Sequence, residues 1–206
     1  MKLAVFDFDS TLMDGETINL LAKAYGTEEE VMKITQEAMN GELDFYHSLV
    51  KRVGTLKGMP LALVEEVCNN LTYFYGAKEL IKALKNKEYK VVVFSGGFDE
   101  GVNAAKKILG YDMHFSNTLH HRNGILTGEV GGEMMFSYSK GRMLRKVQAI
   151  LCVGEEDTIV VGDGANDISM FPYAKKTVAF CAKEVVKKFA NIVVDKQDLT
   201  EIIAYI

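Results

Sequence analysis

The chain begins MKLAVFDFDSTL at residues 1–12, and this stretch decides the fold. Leu3 to Phe8 form an apolar run that predicts a buried strand. Asp7 and Asp9 stand two residues apart, so strand geometry directs both side chains to the same face. Two neighbouring carboxylates repel one another unless a cation or a proton lies between them. The pair therefore indicates chemistry on a phosphate with a divalent metal.

Length and composition are those of an ordinary globular protein. The 206 residues suffice for one domain, or for one domain with a small insertion. A net charge of −4 argues against a nucleic-acid or anionic-membrane binder. No apolar run approaches membrane-spanning length, and the first run is too short for a signal peptide. Three widely spaced cysteines form neither a disulfide framework nor a metal-ligand motif, so we expect a cytoplasmic protein.

Strand and helix patterns alternate along the chain with one interruption. Residues 14–75 contain only helical patterns, such as the amphipathic spacing of Tyr46, Leu49, Val50 and Val53. Thr27 and Glu30 have the spacing of a capping box for one of these helices. The sequence therefore predicts an α/β fold, in which a helical cap, residues 14–75, is inserted after strand one. The core, residues 1–13 and 76–206, is predicted to be a Rossmann-like parallel sheet with right-handed crossovers.

Within the core, individual elements are predicted as follows. Strands are expected at 90–94, 158–161, 177–180 and 191–194, and helices at 99–109, 139–151 and 183–190. Residues 114–119 and 125–130 flank Asn123-Gly124, which predicts a hairpin.

Polar clusters follow three of the predicted strands. Ser95-Gly96-Gly97 follows the Val-rich strand, and Gly162-Asp163-Gly164-Ala165-Asn166-Asp167 follows the strand at 158–161. Ligands of an open parallel sheet bind outside the carboxyl ends of its strands, so these clusters and the first Asp pair should meet. Carboxylate oxygens with room for phosphate and water describe a Mg²⁺ site, and glycine-flanked amides describe an anion cradle.

These clusters, in this order, resemble the four motifs of the haloacid dehalogenase superfamily. Asp7 to Thr11 match the first motif, Ser95 the second, Lys140 the third and residues 162–167 the fourth. With Glu16-Thr17-Ile18, Glu37-Ala38-Met39, Ser95 to Asp99 and Gly162 to Met170, the whole chain is similar to small phosphoserine phosphatases. The resemblance implies a Mg²⁺-dependent phosphomonoesterase that hydrolyses O-phospho-L-serine through an aspartyl phosphate.

The resemblance also implies roles for the acidic residues. Asp7 is expected to be the nucleophile and, with Asp163, a metal ligand. Asp9 is expected to be the general acid and then the base, with its backbone carbonyl on the metal. Its proton at neutral pH requires a raised pKa, which we attribute to Asp7, Asp163 and the substrate phosphate. Asp167 is expected to act through water or by orienting Lys140, although it also suits the first turn of a helix.

The remaining implied contacts are to substrate. Phosphate should meet Lys140, which also pairs with Asp7, together with Ser95, Gly96, Gly97 and Asn166. Glu16 should receive the ammonium group and Arg52 the carboxylate, with Met39 and Phe45 as an apolar wall. Taken alone, Glu16 is equally typical of an acid at a helix N-terminus, and Arg52 of a surface charge. Met39 and Phe45 are equally typical of packing in the core of the cap.

Two other functions remain open at this point. The first is action on another small phosphomonoester, or phosphoryl transfer to a second alcohol. The second, from a different class, is a non-enzymatic receiver module phosphorylated on Asp, which the cap and Asp9 argue against. We expect a small-molecule substrate and neither nucleic-acid nor membrane partners.

A run of aromatic residues ends the predicted cap. Three adjacent aromatics, Tyr73, Phe74 and Tyr75, cannot all face one core. Some of this run could therefore form a contact between copies of the chain. The sequence accordingly predicts a monomer or a weak homodimer.

Overall fold

The computed structural model describes residues 1–206 and contains a seven-stranded sheet. Its strands are β1 (Lys2–Asp7), β2 (Tyr89–Phe98), β3 (Met113–Arg122), β4 (Ile125–Gly132), β5 (Thr158–Gly162), β6 (Lys176–Phe180) and β7 (Ile192–Val194). They are ordered β4-β3-β2-β1-β5-β6-β7, and every neighbouring pair is parallel except β3 and β4. The predicted α/β fold class is confirmed.

Eight α-helices surround or interrupt this sheet. They are α1 (Thr17–Tyr25), α2 (Glu28–Met39), α3 (Phe45–Gly54), α4 (Leu61–Asn69), α5 (Ala77–Asn86), α6 (Asp99–Leu109), α7 (Ser139–Leu151) and α8 (Glu184–Lys187). Three 3₁₀ helices complete the chain, at Glu155–Asp157, Asp167–Tyr173 and Leu199–Tyr205. No helix combines the length and the apolar character needed to cross a membrane.

The alternation of side chains along β1 explains why both faces of the sheet are covered. Ala4 and Phe6 lie in one hydrophobic cluster with α5 and α6, while Leu3 and Val5 lie in a second cluster with α7. All four side chains are fully buried. A strand buried on both faces needs a continuous apolar run, which is what this strand has.

The hairpin predicted at Asn123-Gly124 is confirmed. β3 ends at Arg122 and β4 begins at Ile125, and the two turn residues have φ of 54° and 75°. Asn and Gly accept this left-handed backbone at low cost, as a tight two-residue turn requires.

The helices α1 to α4 form a separate hydrophobic cluster that the core completes. Cap residues such as Leu21, Leu49 and Val53 share this cluster with core residues, namely Phe98, Leu119, Leu126 and Met135. Backbone hydrogen bonds join the same two parts: Gly58 N–H donates to Leu126 O, Leu126 N–H to Met59 O and Leu61 N–H to Gly124 O, at 2.8–2.9 Å. The β3–β4 hairpin therefore supports the cap through both apolar packing and backbone hydrogen bonds.

Three local predictions are wrong in detail. Ser95, Gly96 and Gly97 do not follow β2 but belong to it, because β2 continues against β3 through a register shift between Phe94 and Phe98. Thr27 makes no side-chain capping bond, and its hydroxyl is buried without a partner. The helix predicted at 183–190 shrinks to α8.

The aromatic run at the end of the cap leaves one ring exposed. Tyr73 and Phe74 pack against the cluster under α5 and α6, and Phe74 makes an edge contact with Phe180 at 5.2 Å. Tyr75 is 73% exposed. The run therefore offers only a single protruding ring as a surface for self-association.

Candidate active site

The carboxyl ends of β1, β2 and β5 meet below the cap and enclose a cavity of about 570 Å³. The core contributes Asp7, Asp9, Gly96, Gly97, Asp163 and Asn166 to its wall, and the cap contributes Glu16, Met39, Phe45 and Arg52. Three of the residues predicted for the site, Ser95, Lys140 and Asp167, are buried behind this wall. All thirteen sequence-predicted side chains or backbone groups thus gather in one region.

Asp7 ends β1 and contacts Lys140, a buried lysine near the start of α7. Lys140 also donates to Asp167 Oδ1 at 2.6 Å. Burial and the Asp167 carboxylate raise the pKa of Asp7 well above its usual range, although Lys140 opposes them. Burial alone would lower the pKa of Lys140, but Asp167 and Asp7 outweigh it and hold the proton on the lysine.

Asp167 braces the loop that follows β5. Its Oδ2 accepts hydrogen bonds from the backbone N–H groups of Asp163, at 3.1 Å, and Gly164, at 2.9 Å. A β-carbon at Gly162 would lie 2.3 Å from Asp167 Cγ, which explains a glycine there. Each carboxylate oxygen thus accepts from at least one protein donor, which ties Asp167 to Lys140 and to the loop.

Asp9 lines the cavity and is held by the first turn of α1. Its Oδ1 accepts from the Thr17 N–H at 2.9 Å and from the Thr17 hydroxyl. A β-carbon at Gly97 would lie 2.6 Å from Asp9 Oδ2, so the glycine makes room for this carboxyl. Burial, followed by repulsion from Glu16, raises the pKa of Asp9 to about 7.

The direction predicted for the Asp9 pKa agrees with the structure, but the largest causes within the protein differ from those predicted. The prediction names Asp7, Asp163 and the substrate phosphate, whereas burial and Glu16 contribute the largest effects in the protein itself, and the contribution of the phosphate stays a prediction. The reason is geometric, because β1 ends at Asp7 and the chain turns after Asp9, which brings Glu16 and the first turn of α1 close to the Asp9 carboxyl. The turn is visible in Ser10, which has φ of 57° and donates to Glu16 Oε1 at 3.2 Å.

Asp163 completes a cluster whose chemistry fits Mg²⁺. Asp7, Asp163 and Asp167 each offer an oxygen within 4.8 Å of the others. Burial and Asp167 raise the pKa of Asp163 to about 6, and its Oδ1 accepts from Thr11 Oγ1 at 3.2 Å. Lys140 pairs with Asp7 and Asp167 but makes no salt bridge to Asp163, so three carboxylates face a single directly paired lysine and negative charge is left over. Oxygen donors with excess negative charge suit a hard divalent cation.

The backbone of β2 forms the floor of the cavity. Ser95 Oγ accepts from the Gly97 N–H at 2.9 Å, which leaves the hydroxyl hydrogen free to donate. The Gly97 amide thus has a partner within β2, and its contact with phosphate stays a prediction. Asn117 fixes the same strand by donating to Gly96 O at 3.0 Å.

The cap wall presents opposite charges. Arg52 in α3 makes no salt bridge within 4 Å, and its Nε donates weakly to Ser48 O at 3.4 Å. Glu16 lies at the start of α1, exposed to the cavity. The Phe45 ring covers Gly96, with Cζ 3.3 Å from where a β-carbon would stand. Met39 is 71% exposed at the rim, so it is not part of the cap core.

Sequence reasoning missed three residues of this site. Thr17 binds Asp9 and Thr11 binds Asp163, as described above. Lys183, just before α8, lines the cavity mouth. The two threonines stand within quoted motifs and could have been identified as hydroxyl donors, but nothing in the local pattern distinguishes Lys183 from other surface lysines.

Comparisons with known proteins agree with this geometry. A family model described as haloacid dehalogenase-like hydrolase matches residues 1–175. The chain is 61% identical to a phosphoserine phosphatase of Wolinella succinogenes, in a match that covers 100% of both chains. It is 51% identical to a phosphoserine phosphatase of Methanocaldococcus jannaschii, in a match that covers 100% of this chain and 97% of that protein. A solved substrate-bound phosphoserine phosphatase complex superposes with a TM-score of 0.94 at 51% identity, covering 100% of this chain and 98% of that chain.

Proposed function

The chain belongs to the haloacid dehalogenase-like hydrolases and, within them, to the phosphoserine phosphatase family, and from this we propose that it hydrolyses O-phospho-L-serine to L-serine and phosphate. One observation carries the proposal. The cavity is lined by Asp7, which contacts Lys140, and by the β2 floor, to which we assign the phosphate, and by Glu16 and Arg52 of the cap, to which we assign the serine moiety. Phosphoserine has matching groups at its two ends.

In this proposal Asp7 attacks phosphorus and the bond to the seryl oxygen breaks. Asp9, whose pKa of about 7 leaves about half of the molecules protonated at neutral pH, gives its proton to the leaving oxygen. A water then attacks the phosphorus of the aspartyl phosphate while Asp9 takes a proton from that water. The bond between phosphorus and the Asp7 oxygen breaks, which releases phosphate and regenerates the Asp7 carboxylate. Lys140 keeps Asp7 oriented and offers positive charge to the transferring phosphoryl group.

We propose Mg²⁺ as the cofactor, held by Asp7, Asp163 and the Asp9 carbonyl, with Asp167 in support. When bound, such an ion neutralises charge on the phosphoryl oxygens and the carboxylates around them. The raised pKa of Asp7 supports this assignment, because the protein groups alone do not keep that nucleophile ionised.

Arg52 and Glu16 are proposed to bind the carboxylate and the ammonium group of the substrate. Arg52 remains a guanidinium even though burial lowers its pKa, and it has no carboxylate partner of its own. A bidentate pair with the substrate carboxylate would satisfy it. Glu16, which lines the same cavity, is proposed to accept from the ammonium group.

The protein is further proposed to act in the cytoplasm. Its three cysteines are free, which suits a reducing compartment.

A phosphate-release panel tests the proposed function. With Mg²⁺ present, we expect kcat/KM for phosphoserine to exceed that for phosphothreonine, small sugar phosphates and an aryl phosphate. Addition of a chelator should lower turnover at least about a hundredfold, since a catalytic metal is worth several kcal/mol, and Mg²⁺ should restore it. A preference for another substrate would reject the phosphoserine assignment, and full turnover under the chelator would reject the metal.

Arg52→Ala tests how the carboxylate is read. We expect KM for phosphoserine to rise about 10- to 100-fold, the worth of a hydrogen bond to a charged group. KM for phosphoethanolamine, which lacks only the carboxylate, should stay nearly unchanged. Lys51→Ala is the matched control, because Lys51 is exposed on the same helix and pairs with Glu37. Equal losses on both substrates would show that Arg52 does not read the carboxylate.

A further inference from the structure

A stack of three aromatic rings crosses from the cap to the core beside the cavity. The Tyr46 ring of α3 lies 5.2 Å from the Phe136 ring, with the two planes 12° apart. Phe136 in turn lies 5.4 Å from Tyr138, at 5°. We call Tyr46, Phe136 and Tyr138 the aromatic clasp.

Charged and polar groups close both ends of the aromatic clasp. The Arg142 guanidinium lies 5.7 Å from the centre of the Tyr138 ring, a cation–π distance. At the other end the His47 ring makes an edge contact with Tyr46 at 5.3 Å. The stack is thus a continuous row that runs from α7 of the core to α3 of the cap.

The three rings are surface residues that cover one another. Tyr46 is 36% exposed, Phe136 43% and Tyr138 48%. Stacked aromatic pairs are favourable beyond the area that they bury. The contact between Tyr46 and Phe136 exists only while α3 lies at this distance from the core, so it favours that position of the cap.

The aromatic clasp joins the two segments that carry the ends of the site. Tyr46 follows Phe45, whose ring covers Gly96, and α3 also carries Arg52. Phe136 and Tyr138 directly precede α7, which carries Lys140. The Phe136 N–H donates to Ser139 Oγ at 3.2 Å, which ties the clasp to the first turn of that helix.

The cap is attached differently beyond the C-terminal end of α3. There, backbone hydrogen bonds join residues 58–61 to the β3–β4 hairpin, as described above. Near the cavity the aromatic clasp connects α3 to the core through side chains alone. The cap is therefore joined to the core by backbone hydrogen bonds at the hairpin, by the apolar cluster that the two parts share, and, at the start of α3, by the aromatic clasp.

We propose that Tyr46 is a positioning residue, which stacks on Phe136 to hold α3, and with it Arg52 and Phe45, in the substrate-binding position over the core. This inference rests on the proposed function for its kinetic consequence. Loss of the stack lowers the fraction of molecules with a closed cap, and apparent substrate affinity falls by that fraction. Saturating substrate restores closure, so kcat is retained.

Steady-state kinetics of four variants test the proposal. Tyr46→Ala should raise KM for phosphoserine about 2- to 10-fold, the range expected for one aromatic pair, with kcat unchanged. Tyr46→Phe keeps the ring and should restore the wild-type KM. Adding Phe136→Ala to Tyr46→Ala should raise KM no further, since the contact is already lost. Tyr205→Ala, a tyrosine of similar exposure away from the cavity, should leave KM unchanged.

Amide hydrogen exchange without substrate provides a second measurement. Tyr46→Ala should accelerate exchange in α3 and leave α5 unchanged, whereas general destabilisation would accelerate both. A wild-type KM in Tyr46→Ala, a KM in the double variant clearly above that of Tyr46→Ala, or equal acceleration in α3 and α5 would each overturn the proposal. Because exchange requires no turnover, the aromatic clasp is tested even if the substrate assignment fails.

Discussion

Asp7→Asn is expected to abolish phosphate release from phosphoserine even when Mg²⁺ is saturating, with a loss in kcat of at least about a thousandfold. The neutral amide is a poor nucleophile, so the aspartyl phosphate does not form. The side chain keeps its size, and its oxygen can still accept from Lys140. The loss should therefore be chemical and not structural.

The stability of the same variant provides the control. Burial and Asp167 disfavour a charge at Asp7, so the metal-free variant should unfold at a temperature equal to or above that of the parent protein. Asp14→Asn changes an exposed carboxylate of the same loop and should retain full activity. Thermal unfolding and phosphate release, measured on one preparation, separate the outcomes. Substantial turnover by folded Asp7→Asn would remove Asp7 from the role of nucleophile.

Asp9→Asn is expected to lower turnover of phosphoserine by about 10²- to 10⁴-fold, the usual worth of general acid–base catalysis. The seryl oxygen is a poor leaving group and needs a proton as its bond to phosphorus breaks. An aryl phosphate has a better leaving group and needs that proton less. The variant should therefore still be phosphorylated by the aryl phosphate and then stall, because the attacking water also lacks a base.

Rapid-mixing experiments distinguish these two steps. Asp9→Asn should release about one equivalent of phenol in a burst with the aryl phosphate, followed by slow phosphate release. The activity of the parent enzyme on phosphoserine should decline as pH rises through about 7, because Asp9 loses its proton there. Unchanged turnover of phosphoserine by Asp9→Asn would exclude the acid role.

Much of the site could be predicted because strand ends are local features. The apolar run before Asp7 and the Val-rich run before Ser95 identify buried parallel strands, and topology brings their carboxyl ends together. The hairpin turn was equally predictable, since Asn123-Gly124 accepts a positive φ that most residues resist.

The errors concern contacts between segments that are distant in sequence. β2 continues through Ser95 because β3 pairs with it beyond the shift in register, and no local pattern encodes that partner. The pKa of Asp9 depends on Glu16, which approaches only because the chain turns at Ser10. Tyr46 and Phe136 belong to different predicted domains, so helical periodicity alone could not pair them.

The hydrophobic cluster of the cap has a consequence for how the chain folds during synthesis and for recombination between relatives. Residues 14–75 leave the ribosome before Phe98, Leu119, Leu126 and Met135, which complete their apolar core. Until the hairpin is synthesised, the nascent cap has an uncovered apolar surface that other chains or chaperones can contact. For the same reason, a cap joined to the core of another protein without this hairpin would leave the same apolar surface uncovered. The transferable unit is discontinuous and consists of the helices together with the hairpin that supports them.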